Sequence, residues 1–237
     1  MEKYASTGES MEEIMQKYST TFYACIKEWP DEIKEDIYKL YAYLRVCDEM
    51  VEGVAFTNYR QWRQSIESFY EVSQKYEFEG QWLADFHLSM YTDIVKKEHT
   101  VESMLEYCKG SAESVGLMMA RILGCPPEAD EYARALGRAY QIINFIRDYD
   151  EDVAKGYHYI TDDHALYTDL FIKELKMGII GMVYIPEHLR EPIHMANRMY
   201  VSLVDTKPTW DNMWICNCVH GHQNCKCDGS TGKQVRE

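Results

Sequence analysis

Two acidic helix faces constrain the fold of this chain more than any other feature of its sequence. The first lies in residues 141–156, QIINFIRDYDEDVAKG, where an apolar run with helical periodicity leads into four carboxylates within five residues. In a helix, Gln141, Asn144, Asp148 and Asp152 are three and four residues apart, so their side chains share one face. Like charges at that spacing destabilise a helix, and burial makes the repulsion worse unless a counter-charge lies between them.

A divalent cation would resolve this conflict. Mg²⁺ is usually bound by one or two carboxylates together with waters and substrate phosphates, so it suits such a face. A solvated acidic helix end is the alternative explanation, because runs of charge commonly lie on exposed surfaces.

The second acidic face lies in residues 40–53, LYAYLRVCDEMVEG. There Tyr41, Arg45, Asp48 and Glu52 are spaced by four, three and four residues on a segment that is otherwise apolar and aromatic. Ionised carboxylates are seldom buried in such surroundings unless they are paired or bind a metal. Two such faces turned toward each other across an apolar cavity would form a clamp for a metal-bridged diphosphate, with a hydrocarbon tail in the cavity.

With these motifs the chain resembles the squalene/phytoene synthase family, the head-to-head prenyltransferases, and is most similar to its compact prokaryotic phytoene synthases. The pattern Q-x-x-N-x-x-R-D-x-x-E-D is specific, and the resemblance covers most of residues 18–200 in the family's order. The resemblance implies an all-α fold, a single isoprenoid-synthase-type helical bundle around a central apolar cavity. The matching segments are YSTTFYACIKEWPDEIKEDIYKLYAYLRVCDEMVE, LEYCKGSAESVGLMMARILG, ALGRAYQIINFIRDYDEDVAKGYHYI and, more weakly, MVYIPEHLREPIHMANRMY.

The resemblance also implies a set of site residues and a cofactor, Mg²⁺ or Mn²⁺ in its place. The implied metal-binding residues are Asp48, Glu52, Asn144, Asp148 and Asp152. The implied catalytic residues are Tyr41, Arg45, Tyr107, Asp48 and Asp148. The implied substrate-binding residues are Ser19, Phe22, Arg45, Ala112, Val115, Gly116, Gln141 and Asn144.

Several of these residues have simpler interpretations. Arg45 matches a family arginine on the diphosphate, but its spacing equally predicts a salt bridge with Asp48 or Glu49. Tyr41 and Tyr107 could be ordinary core aromatics. The small residues 112–116 could allow close helix packing instead of lining a channel. Arg147 also matches the family but points off the acidic face of a regular helix, so we interpret it as structural.

The chain departs from the family's pattern in two places. In the family, the motif that matches residues 40–53 normally carries aspartates, whereas Glu49 and Glu52 are one methylene longer, which would weaken or shift one metal because Mg²⁺ demands near-octahedral geometry. Residues 156–161, GYHYIT, lack the arginine that many relatives carry after the glycine. Lys155 and Arg190 are candidates to replace it.

The implied activity is condensation of two geranylgeranyl diphosphates to phytoene through a cyclopropyl diphosphate. Farnesyl diphosphate, giving squalene or dehydrosqualene, is the rival donor. A terpene cyclase acting on a single substrate and a non-catalytic scaffold protein are the alternatives from other functional classes.

Composition and charge set further expectations. The net charge of −14 over 237 residues argues against binding nucleic acid or an anionic membrane surface. No signal peptide is evident, and no apolar run reaches the roughly 18 residues of a membrane span. We therefore expect a cytoplasmic protein that contacts a membrane peripherally to release its product.

We predict a helical domain over residues 1–210 and a separate tail over residues 211–237. The tail contains CNCVHGHQNCKC, whose spacings differ from those of common structural zinc sites, so zinc binding is weighed against a divergent or disordered tail. Within the domain, apolar periodicity predicts helices near 81–96, 100–123, 127–155, 164–180 and 187–204, and no strands.

Overall fold

Helices form nearly all of the regular structure in residues 10–51 and 59–204, the part of the chain that the computed structural model describes. Within these ranges no β-strand forms, and extended segments pair only in a single parallel bridge between Glu98 and His158. The predicted all-α class is confirmed. The α-helices are α1 Met11–Tyr18, α2 Thr20–Ile26, α3 Asp31–Val51, α4 Tyr59–Lys75, α5 Gly80–Val95, α6 Val101–Cys108, α7 Ser114–Ile122, α8 Asp130–Arg147, α9 Tyr149–Ala154, α10 His164–Ile180 and α11 Arg190–Val201.

Local sequence explains where several helices begin and end. The Ser10 hydroxyl accepts a hydrogen bond from the Glu13 backbone N–H at 3.1 Å, and the Glu13 carboxylate accepts one from the Ser10 N–H at 2.6 Å. This reciprocal capping box starts α1. Thr100 caps α6 in the same way with Ser103. After α9 the chain turns at Gly156, whose φ of +84° suits a residue without a side chain.

Two helices that the periodicity predicts as continuous are interrupted. The predicted helix 100–123 contains a π-helical turn, Lys109–Glu113, between α6 and α7. The predicted helix 127–155 begins with a 3₁₀ turn, Pro127–Ala129, and breaks at Asp148 between α8 and α9. Both predicted spans are helical over nearly their whole length, and the periodicity missed only the interruption inside each, because one added residue or one residue outside the helical φ/ψ region leaves the apolar spacing almost unchanged. Hydrogen bonds from Asp148 N to Asn144 O and from Asp152 N to Asp148 O still carry the chain across the second break.

Helix α8 is the central element, packed against α7, the π turn and α10. A Cβ placed on Gly137 would lie 2.5 Å from the Ala112 carbonyl oxygen, and one on Gly116 would lie 2.4 Å from that of Ala133. The backbones of α8 and of the segment 112–116 are therefore in direct contact, which agrees with the close-packing interpretation of these small residues. Arg138, on α8, adds ion pairs to this packing by contacting Glu113 of the π turn and Glu174 of α10, each at 2.7 Å.

The apolar side chains form two clusters. One joins α1 to α5 with α7 and includes Leu40, Phe86 and Leu117. The other joins α6, α8, α10 and α11 and includes Ile142 and Phe171. No helix in the described ranges is long and apolar enough to cross a membrane. Glu52, the predicted domain boundary at 210 and the Cys/His segment lie outside the described residues.

Candidate active site

A cavity of about 700 Å³ lies between the two apolar clusters. Along α8 it extends from Tyr132 to Asp148, roughly 24 Å at the rise of an α-helix. Its far end is apolar and includes Leu123 and Ala129. Its other end, formed where α3 and α8 finish, is charged. The cavity lining includes every predicted site residue in the described ranges: Ser19, Phe22, Tyr41, Arg45, Asp48, Tyr107, Ala112, Val115, Gly116, Gln141, Asn144, Asp148 and Asp152.

The charged residues that α3 contributes are linked by ion pairs. Arg45 Nη1 lies 2.5 Å from Asp48 Oδ2, and Arg45 Nε lies 3.2 Å from Glu49 Oε1. The guanidinium group also lies over the Tyr18 ring, 4.1 Å from its centroid. The salt-bridge interpretation of Arg45 therefore holds in this structure. The same guanidinium lines the cavity, so it is also within reach of a ligand's phosphate oxygens.

The acidic face of residues 141–156 lies opposite, at the junction of α8 and α9. Asn144 Oδ1 is buried without a hydrogen-bond partner. Burial and the neighbouring Asp148 carboxylate raise the pKa of Asp152 to about 6. An orphaned amide oxygen and a carboxylate that is reluctant to ionise both indicate that a cation would be stabilised beside Asn144 and Asp152.

The donor set fits a hard divalent cation. Mg²⁺ takes oxygen ligands and usually keeps several waters, so a few carboxylates near a phosphate site suffice. In residues 10–51 and 59–204 no three carboxylate, imidazole or thiolate side chains converge into a ready-made metal cage. Asp48, Asn144, Asp148 and Asp152 instead border a shared space from two sides.

Arg147 lies at the charged end of the cavity, so the expectation that it points off the acidic face was wrong. Its Nε lies 2.7 Å from Asp148 Oδ1 and its Nη2 lies 2.5 Å from Asp148 Oδ2. These hydrogen bonds raise the pKa of Arg147. The side chain lines the cavity beside Asp148.

The two candidates for the missing arginine differ in position. Lys155 lines the cavity near Asp152 and lies 2.7 Å from Glu151. Arg190 instead donates hydrogen bonds to the backbone oxygens of Ile185 and Val183 and does not border the cavity. Lys155 is therefore the better placed of the two.

Aromatic side chains line the cavity below its charged end. Burial raises the pKa of Tyr41 to about 12, so its hydroxyl stays protonated. Phe22 packs edge-on against Trp29, with ring centroids 6.2 Å apart. Tyr107 is 7% exposed and donates a hydrogen bond to Asp93. These three aromatic side chains border the space where a hydrocarbon would lie.

Asp93 and Tyr159 are site residues that the sequence reasoning missed. Tyr159 lines the cavity, and Asp93 lies directly behind it. The available signal was a lone aspartate in the second half of α5, LSMYTDIV, a segment that is otherwise free of charge. A charge in such surroundings calls for a specific partner.

Comparisons with known proteins agree with this geometry. The family model described as squalene/phytoene synthase matches residues 15–202. A 15-cis-phytoene synthase from Synechococcus elongatus is 26% identical over 211 residues, which cover 74% of this chain and 68% of that protein. A 4,4'-diapophytoene synthase from Staphylococcus haemolyticus is 26% identical over 178 residues, covering 63% of this chain and 60% of that protein.

The fold also has a close match among solved structures. The crystal structure of a dehydrosqualene synthase in complex with ligand superimposes with a TM-score of 0.68 at 22% identity, covering 80% of this chain and 82% of that one. At this identity the likeness concerns the fold alone. It supports the predicted isoprenoid-synthase-type bundle.

Proposed function

Because the chain belongs to the squalene/phytoene synthase family, a family of prenyltransferases, we propose that it joins two prenyl diphosphates head to head. The observation that carries this proposal is the shape and polarity of the cavity. Carboxylates from α3 and from the junction of α8 and α9 meet at one end, and about 700 Å³ of largely apolar space extends away from them. A diphosphate with a long hydrocarbon tail has the same division of polarity.

The charged end would bind the diphosphates. We propose that Asp48, Asp148 and Asp152, with the Asn144 amide oxygen, hold Mg²⁺, with Mn²⁺ as a substitute and Glu52 as a further ligand. A bound divalent cation would neutralise the diphosphate and make it a better leaving group. Arg45, Arg147 and Lys155 offer the positive charge for phosphate oxygens, and the two guanidinium groups can do so with two parallel hydrogen bonds.

The walls would protect and guide the carbocation. Departure of diphosphate from one donor leaves an allylic cation, which the double bond of the second donor attacks; loss of a proton from the adduct then closes the ring of a cyclopropylcarbinyl diphosphate. Departure of the second diphosphate gives a cation that rearranges and loses a proton to form the linear product. The apolar walls exclude water that would otherwise capture the cations. The rings of Phe22, Tyr41 and Tyr107 can stabilise positive charge through their faces.

We propose geranylgeranyl diphosphate as the donor and phytoene as the product. The phytoene synthase relative supports this choice. The 4,4'-diapophytoene synthase relative supports the rival, farnesyl diphosphate. Both donors share the diphosphate and differ in tail length, so the depth of the cavity discriminates between them.

Two further proposals concern the whole chain. The family match ends at residue 202, and we propose that residues 1–210 form the catalytic domain and residues 211–237 a separate tail. We also propose a cytoplasmic enzyme that releases its apolar product to a membrane by peripheral contact.

Product analysis tests the proposed function directly. The purified protein is incubated with Mg²⁺ and either farnesyl or geranylgeranyl diphosphate, and products are identified by mass spectrometry. We expect a C40 hydrocarbon, or its cyclopropyl diphosphate, from the second donor. Asp148→Asn should lower turnover by roughly 10²-fold or more, because it removes a charge that acts on the departing diphosphate.

Asp150→Asn is the matched control, because Asp150 lies in the same acidic run but is exposed and outside the cavity lining. Its turnover should equal that of the unmodified chain. A C30 product would move the assignment to the farnesyl donor. A cyclised product from one prenyl unit would favour a terpene cyclase, and no turnover of either donor would favour the scaffold protein.

A further inference from the structure

Asp93, on α5, is a buried carboxylate that accepts hydrogen bonds from two tyrosines of the cavity wall. It is 4% exposed. Tyr107 donates its hydroxyl hydrogen to Asp93 Oδ2 at 2.7 Å, and Tyr159 donates its own to Asp93 Oδ1 at 2.7 Å. Each carboxylate oxygen thus accepts a hydrogen bond from a different phenol.

The two phenols lie in the wall of the large cavity, whereas Asp93 lies behind it. Asp93 also borders a second, small cavity of about 40 Å³, together with Asp48 and Asp152 from the two acidic faces. The carboxylate is therefore close to the charged end of the site without lining the main cavity.

Neighbouring groups fix the rings that Asp93 contacts. Tyr159 stacks on Phe145 with centroids 4.6 Å apart and planes at 15°, and it stacks on Tyr157 at 5.6 Å. The segment that carries Tyr159 is tied down by backbone hydrogen bonds from His99 N to His158 O at 2.9 Å and from His158 N to Lys97 O at 2.7 Å. With the rings held by packing, rotation of the hydroxyl groups is the remaining freedom, and Asp93 removes it.

The direction of these hydroxyl groups matters for a cation in the cavity. Burial raises the pKa of Tyr107 and of Tyr159, so both phenols stay protonated. A phenol whose hydrogen is given to Asp93 keeps its oxygen lone pairs for its other neighbours. Phenol lone pairs directed toward the cavity would stabilise a developing positive charge there. A hydroxyl hydrogen turned into the cavity would oppose that charge.

We propose that Asp93 is a positioning residue for the carbocation steps, acting through the hydroxyl groups of Tyr107 and Tyr159. This inference rests on the proposed prenyl diphosphate condensation. Asp93 does not bind the donors; it sets the orientation of groups that face the cation. Its removal should therefore affect turnover and the fate of the cation more than donor binding.

The first test compares Asp93→Asn with Asp85→Asn, a control on the same helix whose carboxylate accepts a hydrogen bond from Gln81 outside the cavity. The side chains keep their size in both variants. We expect Asp93→Asn to lower kcat by roughly 10- to 100-fold while KM for the prenyl diphosphate changes little. We also expect a larger share of prenyl alcohol, formed when water captures the cation. The control should match the unmodified chain in all three quantities.

The second test is a double-mutant cycle on kcat, combining Asp93→Asn with Tyr107→Phe and, separately, with Tyr159→Phe. If Asp93 acts through the phenols, its loss should cost less in each Phe background than in the unmodified chain. The same cost in every background, or an unchanged kcat and alcohol share in Asp93→Asn, would overturn the proposal. If Asp93→Asn does not fold, the Tyr107→Phe and Tyr159→Phe single variants test the proposal instead. A lower kcat at unchanged KM in these variants supports the positioning role of Asp93. A kcat equal to that of the unmodified chain in both Phe variants overturns it.

Failure of this inference is distinguishable from failure of the proposed function. If the unmodified chain turns over neither donor, the condensation itself is wrong and the role of Asp93 falls with it. If the unmodified chain makes its product and Asp93→Asn makes it equally well, only the role of Asp93 is wrong.

Discussion

Arg147 and Asp148 show that one backbone position decides which neighbouring side chains can meet. In a regular helix, consecutive residues do not face each other, and that rule led to the interpretation of Arg147 as structural. The backbone at Asp148 leaves the helical region, with φ −97° and ψ 8°. Both oxygens of the carboxylate then contact the preceding guanidinium group. Sequence spacing could not predict this pair, because it assumes an unbroken helix.

A histidine next to the tyrosine pair makes stability depend on pH. His99 is 8% exposed, and burial lowers its pKa below the ordinary value of 6.5. The folded protein therefore favours the neutral ring. The contribution of His99 to stability is complete above pH 6.5 and is lost as the pH falls through its lowered pKa. We expect His99→Phe, which keeps a ring against Tyr159, to reduce the fall in Tm between pH 7.5 and pH 5 by a few degrees.

Differential scanning calorimetry at several pH values checks this expectation. His188→Phe is the control, because His188 is exposed, and it should leave the pH dependence as in the unmodified chain. An identical Tm profile for His99→Phe and the unmodified chain would contradict the assignment of acid sensitivity to His99.

Other residues of the candidate site were within reach of the sequence. Spacings of three and four residues placed Tyr41, Arg45 and Asp48 on one face and Asn144 with Asp148 on another, and the structure brings both faces to one cavity. Asp93 was harder to place because its partners are 14 and 66 residues away along the chain. Such partners depend on how helices pack, which periodicity does not describe.

At the scale of elements, the contact between α8 and the segment around the π turn sets the width of the cavity. The π turn, Lys109–Glu113, adds one residue to a helical path. Ala112 within the turn and Gly116 after it both contact the backbone of α8. The sequence predicted that helices would form here, and it indicated close packing as one interpretation. It could not predict the turn, because a single added residue leaves the apolar pattern almost unchanged.

Gly137→Ala tests this contact. The added methyl group would lie 2.5 Å from the Ala112 carbonyl oxygen, which is backbone and cannot rotate away. We expect a loss of about 1–3 kcal/mol in the free energy of unfolding, as for other overpacked sites, and lower turnover because both walls of the cavity shift. Chemical denaturation and the product assay measure the two effects.

Gly80→Ala is the matched control, since a methyl group at the start of α5 would meet no atom within 4 Å. It should be neutral or stabilise the protein by up to about 1 kcal/mol. If Gly137→Ala were as stable as the unmodified chain, α8 and the segment 112–116 would be able to move apart without loss of folding free energy, which would contradict this prediction.

At the scale of the whole molecule, three acidic side chains at the charged end of the cavity are paired with basic neighbours while the chain as a whole carries a net charge of −14. Arg45 contacts Asp48, Arg147 contacts Asp148 and Lys155 contacts Glu151. When a metal ion binds one of these carboxylates, the paired guanidinium group becomes available to bind the diphosphate. When the diphosphate binds the guanidinium group, the carboxylate becomes available to bind the metal ion. Each ligand should therefore help the other to bind.

We expect Mg²⁺ and inorganic diphosphate together to raise Tm by more than the sum of their separate effects, because a ligand that binds the native state stabilises it. Thermal shift measurements with each ligand alone and with both provide the comparison. Asp148→Asn should reduce the excess, and Asp150→Asn should preserve it. If the two Tm increases were strictly additive, the proposed exchange of ion-pair partners between the two ligands would be contradicted.

The glycines where α8 meets its neighbours also bear on how this chain could diverge. Gly116, Gly137, Gly178 and Gly181 each lie where a Cβ would collide with a neighbouring element. Substitutions there would alter the spacing of helices and threaten the fold. Side chains such as Val115 and Met119 line the cavity. A lineage under selection for a longer or shorter donor would therefore be expected to accumulate changes at the lining positions while the glycines stay fixed.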